Sequence, residues 1–161
     1  MAKAAFHFNY EVYDSLQELS TEDAALLELA REASNNAYAP YSKFKVGAMA
    51  RLQNGTLVAG SNQENAAYPV GICAERVLLS AASSLHPGIP IQTMAISYQS
   101  ALVASDHPIS PCGICRQTLQ EYEERFGMPV RLILAGMEGK IILIPQSGLL
   151  LPLSFTGKDL A

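Results

Sequence analysis

Residues 91–98 read IQTMAISY, residues 116–126 read RQTLQEYEERF, and residues 130–136 read VRLILAG. The first and last are apolar runs of strand length, and the middle one reads as a helix. A strand, a helix and a strand in that order make a parallel pair, because the helix supplies the crossover. Working outward, AERVLLSAASSL (74–85) predicts a helix beginning at Cys73 or just after it. VGAMARL (46–52) and LVAGS (57–61) flank Gln53-Asn54-Gly55-Thr56 and predict a β-hairpin with Asn-Gly at its tight turn. KIILIP (140–145) predicts a last strand, joined to VRLILAG through Met137-Glu138-Gly139. Ser20, with Asp23 three residues later, offers an N-cap to a helix along AALLELAREASNNA (24–37), which must stop near Pro40.

The order is helix, hairpin, helix, strand, helix, strand, strand. It predicts an α/β protein, a three-layer α/β/α fold with a mixed sheet of about five strands. No repeat or linker divides residues 21–161, which read as a single domain. Residues 1–20 read as an N-terminal extension. Within it Phe6, Phe8, Tyr10 and Val12 alternate with His7, Asn9 and Glu11, the pattern of a short added strand.

Of the 161 residues 49% are hydrophobic and 16% charged, which predicts a packed globular chain rather than a disordered one. A formal net charge of −4 argues against gripping a nucleic-acid backbone. No stretch approaches the ~20 apolar residues of a membrane helix. Small molecules are the expected partners. The opening residues lack the apolar run of a secretory signal, and the cysteine count is odd. Together these predict a reducing, cytoplasmic setting, where clustered thiols bind metal or react more often than they pair.

All three cysteines, Cys73, Cys112 and Cys115, lie in two short stretches, CAER (73–76) and PCGICRQ (111–117). Each stretch sits at a predicted helix start, where free N–H groups and about half a unit of positive charge favour thiolates. Cys112-x-x-Cys115 turns two sulfurs to one side of a helical turn, and Cys73 can close from the neighbouring helix. Three ligands leave a fourth tetrahedral position for water, the pattern of a catalytic zinc rather than a structural one. Three thiolates and one Zn²⁺ sum to −1, which two helix N-termini and an arginine can offset. Arg76 is the preferred compensator, with Arg116 the other candidate for hydrogen bonds to sulfur. Glu75 is then more than a first-turn acid: it is placed to shuttle the proton of the water.

These two stretches resemble the zinc nucleoside deaminases, specifically the small homotetrameric cytidine deaminases in their all-cysteine form. Tyr41-Ser42-Lys43-Phe44-Lys45-Val46-Gly47-Ala48, Asn62-Gln63-Glu64-Asn65-Ala66-Ala67-Tyr68-Pro69 and Leu151-Pro152-Leu153-Ser154-Phe155 extend the likeness from Ala24 to Leu160. The resemblance implies zinc-dependent hydrolysis of cytidine and deoxycytidine to uridine and deoxyuridine plus ammonia, a step of pyrimidine salvage, with one zinc per subunit. It implies that Glu75 carries protons to ring N3 and to the departing amine. The Ala74 N–H and the Ser110 carbonyl are expected at the pyrimidine edge, Asn62 and Glu64 on the ribose, and Phe44 against the base. Phe155 is expected to reach a neighbouring subunit's site in a homotetramer. His7, His86 and His107 fit no ligand spacing, and His107 is expected in a solvated loop.

Three rival readings keep parts of the pattern. A blasticidin-S-type deaminase shares the metal motifs, but Phe44-Lys45-Val46-Gly47-Ala48 and Asn62-x-Glu64 favour cytidine. A zinc-stabilised binding module without chemistry needs a fourth protein ligand, and no fourth cysteine or well-placed histidine exists. A redox Cys112-x-x-Cys115 pair leaves Cys73 and Glu75 without a purpose.

Overall fold

A computed structural model of the chain describes residues 1–160. Six strands form one sheet: β1 (Glu11–Tyr13), β2 (Phe44–Leu52), β3 (Leu57–Ser61), β4 (Ile91–Ser100), β5 (Arg131–Ala135) and β6 (Ile141–Ile144). Three helices accompany them: α1 (Thr21–Ala33), α2 (Ala74–Leu85) and α3 (Gly113–Phe126). The sheet order is β1-β6-β5-β4-β2-β3. β4 and β5 run parallel, with Met94 opposite Leu132 and Ile96 opposite Leu134, and α3 is the crossover between them. All other neighbours are antiparallel. The predicted mixed sheet between helical layers is therefore present.

Alternation along the central strands sorts the core into two halves, since successive strand side chains face opposite ways. Met94, Ile96, Leu132 and Leu134 pack with Leu78, Leu79 and Ala82 of α2 and with Leu119 and Tyr122 of α3. Ala95, Ile133 and Ala135 pack with Leu26, Leu27 and Ala30 of α1. Residues left out of water on both faces explain why IQTMAISY and VRLILAG read as continuous apolar runs.

The hairpin turns at Asn54-Gly55, with Gly55 at φ +86° and the Asn54 side chain accepting from the Thr56 N–H. The Ser20 hydroxyl accepts from the Asp23 N–H at 3.2 Å and caps α1 as expected. α1 ends at Ala33, several residues before Pro40. Ser34–Asn36 tighten into a 3-10 turn, and the Ser34 hydroxyl donates to the Arg31 carbonyl at 2.6 Å. Serine and asparagine side chains compete with the helical backbone in this way.

The amino-terminal strand is shorter and later than the alternation suggests. Only Glu11–Tyr13 pair, with Leu143, Ile142 and Ile141 of β6. Phe6, Phe8 and Tyr10 instead touch one another at centroid distances of 6.2 and 6.1 Å, and Phe8 leans on the core under α2 and α3. Alternation reports an extended backbone with one sticky side, but not a partner strand.

Gly60 in β3 positions the site. A Cβ there would lie 2.4 Å from the Ala74 carbonyl oxygen and 2.7 Å from the Leu78 nitrogen. The missing side chain lets the first turn of α2 lie directly on the sheet, and Cys73 comes with it.

Candidate active site

α2 and α3 both begin at the same end of the sheet, and a cysteine caps each: Cys73 before α2 and Cys112 before α3. Cys115 sits in the first turn of α3 and is fully buried. The sulfurs of Cys73 and Cys112 are 3.8 Å apart, those of Cys112 and Cys115 are 3.4 Å apart, and all three lie within 4.8 Å of one another. A tetrahedral zinc at about 2.3 Å from each sulfur needs sulfurs roughly 3.8 Å apart, so this trio fits the ion. Among the described residues no fourth His, Cys, Asp or Glu joins the cluster.

The sulfurs are electrostatically one unit. The hydrogen bond from Cys115 lowers the Cys73 thiol to about 6, helped by Cys112 and by the Arg76 charge, against burial and the Glu75 carboxylate. The Cys115 thiol is raised, first because its proton serves that bond and then because it is buried. A divalent cation held by the three sulfurs would take over the work of that shared proton. Arg76 acts on Cys73 through its charge, and among the described residues its guanidinium makes no hydrogen bond to sulfur. Arg116, the other arginine considered for that task, is turned elsewhere. It donates to the carbonyls of Pro111 at 2.8 Å and Leu150 at 3.0 Å, binding the start of α3 to the carboxy-terminal segment.

Glu75 is 5% exposed, and burial raises its pKa, opposed by its own backbone N–H and by Cys115. It borders a lobe of about 580 Å³ with Phe44, Cys73, Ser110, Cys112, Leu102 and Val103. A second lobe of about 510 Å³ is lined by Tyr41, Ser42, Asn62, Glu64, Tyr68 and Cys73. Ser42, Asn62 and Cys73 border both, so the two lobes form one cleft. One lobe is largely apolar and floored by Cys73, Cys112 and Glu75, and the other is the more polar of the two. Ala74 is in the first turn of α2, where backbone N–H groups have no intrahelical acceptor.

Asn62 and Glu64 line the polar lobe but are not free to serve a ligand alone. The Asn62 amide donates to the Phe44 carbonyl at 2.9 Å and accepts from the Val46 N–H at 2.7 Å, extending β2 like a strand partner. The Glu64 carboxylate accepts from the N–H groups of Tyr41 at 2.8 Å and Ser42 at 3.3 Å. The Ser42 side chain is the main reason its pKa is lowered, with the two backbone N–H groups adding to it, and the carboxylate sits over a turn whose Lys43 has φ +56°. Phe155 lies apart. It is 58% exposed, lines neither lobe, and accepts at its carbonyl from the Gln117 side chain at 2.9 Å. His107 lies exposed in a loop, as expected, and its ring also reaches the Tyr98 hydroxyl at 3.2 Å. Sequence reasoning missed Tyr68, Leu102 and Val103 as lining residues. Tyr68 stood beside Asn62-x-Glu64, whereas nothing local marks the other two.

Residues 20–126, which include the three cysteines and Glu75, match the family model for the cytidine and deoxycytidylate deaminase zinc-binding region. The chain is 37% identical over 136 residues to a cytidine deaminase of Halalkalibacterium halodurans, covering 84% of this chain and 95% of that one. A cytidine deaminase of Sporosarcina psychrophila is 37% identical over 138 residues, covering 84% and 93%. Among solved structures, a cytidine deaminase from Burkholderia pseudomallei superposes with a TM-score of 0.72 at 34% identity, covering 85% of this chain and all of that one. A cytidine deaminase from Mycobacterium tuberculosis superposes with a TM-score of 0.64 at 29% identity, covering 84% and 98%. The chain belongs to the cytidine and deoxycytidylate deaminase family. The matched region is the family's zinc-binding one, and Cys73, Cys112 and Cys115 within it form a cluster that could hold the ion.

Proposed function

We propose that this protein hydrolytically deaminates cytidine and deoxycytidine, giving uridine and deoxyuridine plus ammonia, in pyrimidine salvage. The observation that carries this reading is a buried carboxyl beside three converging sulfurs, at the floor of a cleft with one largely apolar lobe and one more polar lobe. The relatives named above are cytidine deaminases, which supports the choice of substrate.

Cys73, Cys112 and Cys115 hold the ion. When bound, zinc supplies Lewis acidity that brings the pKa of water toward ~7 and makes hydroxide available at neutral pH. Glu75 accepts the proton of the attacking water and delivers it to ring N3, so C4 becomes electrophilic as the C4–O bond forms. Glu75 then moves the new hydroxyl's proton to the exocyclic amine, the C4–N bond breaks, and ammonia leaves as C4=O forms. Burial suits the carboxyl to both steps, because a raised pKa makes it a better base and keeps its proton available for return.

The apolar lobe receives the base against Phe44, with the Ala74 N–H and the Ser110 carbonyl at its polar edge. The polar lobe receives the sugar, whose hydroxyls can donate to Glu64 and accept from the remaining Asn62 N–H. Phe155 serves another copy of the chain in a homotetramer. Its exposure and its absence from the lining of its own cleft support that reading, as does the exposure of Tyr41, Tyr68 and Leu153. Residues 1–20 are an extension joined to a single deaminase domain, and the enzyme works in the cytoplasm.

The test is zinc content together with the fall in ultraviolet absorbance when cytidine or deoxycytidine is added. About one zinc per chain, with turnover abolished by a chelator and restored by zinc, is expected. Zinc bound without any absorbance change for either nucleoside would overturn the substrate assignment.

A further inference from the structure

One wall of the apolar lobe is the segment between β4 and α3, which contributes Leu102, Val103, Ile109 and Ser110. Leu102 and Val103 are 72% and 56% exposed, so little packing holds them. What holds the segment is polar and lies behind it. The Ser105 hydroxyl accepts from the Ser100 N–H at 3.1 Å, and the Ser105 carbonyl accepts from the Glu138 N–H at 3.1 Å. Gly139, at φ +78°, admits the segment so closely that a Cβ there would lie 1.9 Å from the Asp106 carbonyl oxygen.

Tyr98 joins this wall to the opposite one. It projects from β4, is wholly buried, and its ring lies flat against that of Phe44, centroids 4.7 Å and planes 16° apart. Its hydroxyl donates to the Ala104 carbonyl at 3.2 Å and stands 3.2 Å from His107 Nδ1. His107 is itself set edge-on to the Tyr98 ring at 5.7 Å, and Asp106 Oδ1 is 3.0 Å from the same nitrogen. A half-buried phenylalanine at a strand end is free to tilt unless something flat backs it. An aromatic ring recognises a planar ligand only if its own plane is fixed, since the stacking energy depends on offset and angle.

We infer that Tyr98 is a positioning residue for recognition of the base. Its ring sets the plane of Phe44, and its hydroxyl sets the distance of the facing wall. The inference rests on the cleft taking a pyrimidine nucleoside, as proposed above. Neither role involves contact between Tyr98 and the reacting atoms, so ligand affinity should change far more than the rate of the bound complex.

The experiment compares Tyr98→Phe and Tyr98→Leu with the wild type in the zinc-loaded enzyme. KM and kcat for cytidine are measured, with calorimetric binding of uridine as a readout independent of turnover. Tyr98→Phe keeps the stack and loses the tether, and is expected to raise KM and the uridine Kd about fivefold, the equivalent of one ordinary hydrogen bond. Tyr98→Leu loses both and is expected to raise them more than tenfold, with kcat in each case within about threefold of wild type. In a Phe44→Ala background, Tyr98→Leu should change the uridine Kd by less than half as much on a logarithmic scale, because its main route of action is gone. Should the leucine variant fail to fold, the phenylalanine variant decides alone. A wild type inert to cytidine would defeat the functional reading. A wild type that turns over cytidine, with folded variants unchanged in KM and Kd, would defeat this inference and leave that reading standing.

Discussion

Replacing Glu75 with Gln isolates proton transfer from everything else the site does. The amide has the shape of the carboxyl, so packing of the first turn of α2 is kept. Glu75 is 5% exposed and, among the described residues, engages in no ion pair. Removing an unpaired buried acid removes a desolvation penalty, so the melting temperature should stay level or rise. The three sulfurs are untouched and zinc should remain at about one per chain. Among the described residues, no titratable group besides Glu75 and the cysteines lines the apolar lobe, so none of them can take over the two transfers. A single positioned acid–base group contributes about 10²–10⁴, and one used twice belongs at the upper end. A fall in kcat of about 10⁴ corresponds to about 5.5 kcal/mol of lost transition-state stabilisation. The assay is steady-state turnover of cytidine on metal-replete, folded protein, with zinc measured on the same sample. A variant holding full zinc and keeping kcat within tenfold of wild type would refute the role of Glu75 and the mechanism with it.

Other perturbations separate scaffold from chemistry. Asn62→Ala removes two hydrogen bonds and leaves the Phe44 carbonyl and the Val46 N–H without partners. It should cost about 2–3 kcal/mol in urea unfolding and raise KM for cytidine. Gly60→Ala drives a Cβ into the backbone of α2. It should destabilise the protein by about 1–3 kcal/mol and weaken zinc retention in chelator competition, because Cys73 must move with the helix. Asp23 takes a bidentate pair from Arg131 at 2.7 and 2.8 Å, and that hydrogen bonding is the main reason its pKa is lowered. Its stabilisation is complete above the ordinary carboxyl pKa of about 4 and is lost as pH falls through the lower folded value. The stability gap between wild type and Asp23→Asn should therefore be full at pH 7 and shrink below about pH 4, as denaturant titrations at several pH values would show.

Most of the fold was legible because its signals are local. The Asn54-Gly55 turn, the Ser20 cap and the strand–helix–strand order through β4, α3 and β5 each depend on neighbouring residues and on one period. The pairing of β1 was not, since Glu11 meets Leu143 from the far end of the chain and only three residues take part. The convergence of Cys73, Cys112 and Cys115 was legible because Cys-x-x-Cys at a helix start restricts where the sulfurs can point. Asn62 and Glu64 were read as ligand contacts, yet each also carries backbone hydrogen bonds that hold the cleft's rim. A sequence shows which groups can bond but not which partner reaches them first. Tyr98 was hidden for the same reason. Within IQTMAISY it counts as one more apolar residue, and its hydroxyl finds Ala104 and His107 only after the segment folds back.

Cys73 and Cys112 cap different helices and stand 39 residues apart. The stretch they bracket contains α2 and all of β4, one of the two middle strands. A cation gripped at both ends works as a reversible rivet across that excursion, and its binding energy adds to the folding energy of the whole sheet. Resistance to unfolding should then track ambient zinc, gaining about 1.4 kcal/mol for each tenfold rise above the dissociation constant. Scarcity of the metal would thus thin the population of folded chains as well as silence the survivors.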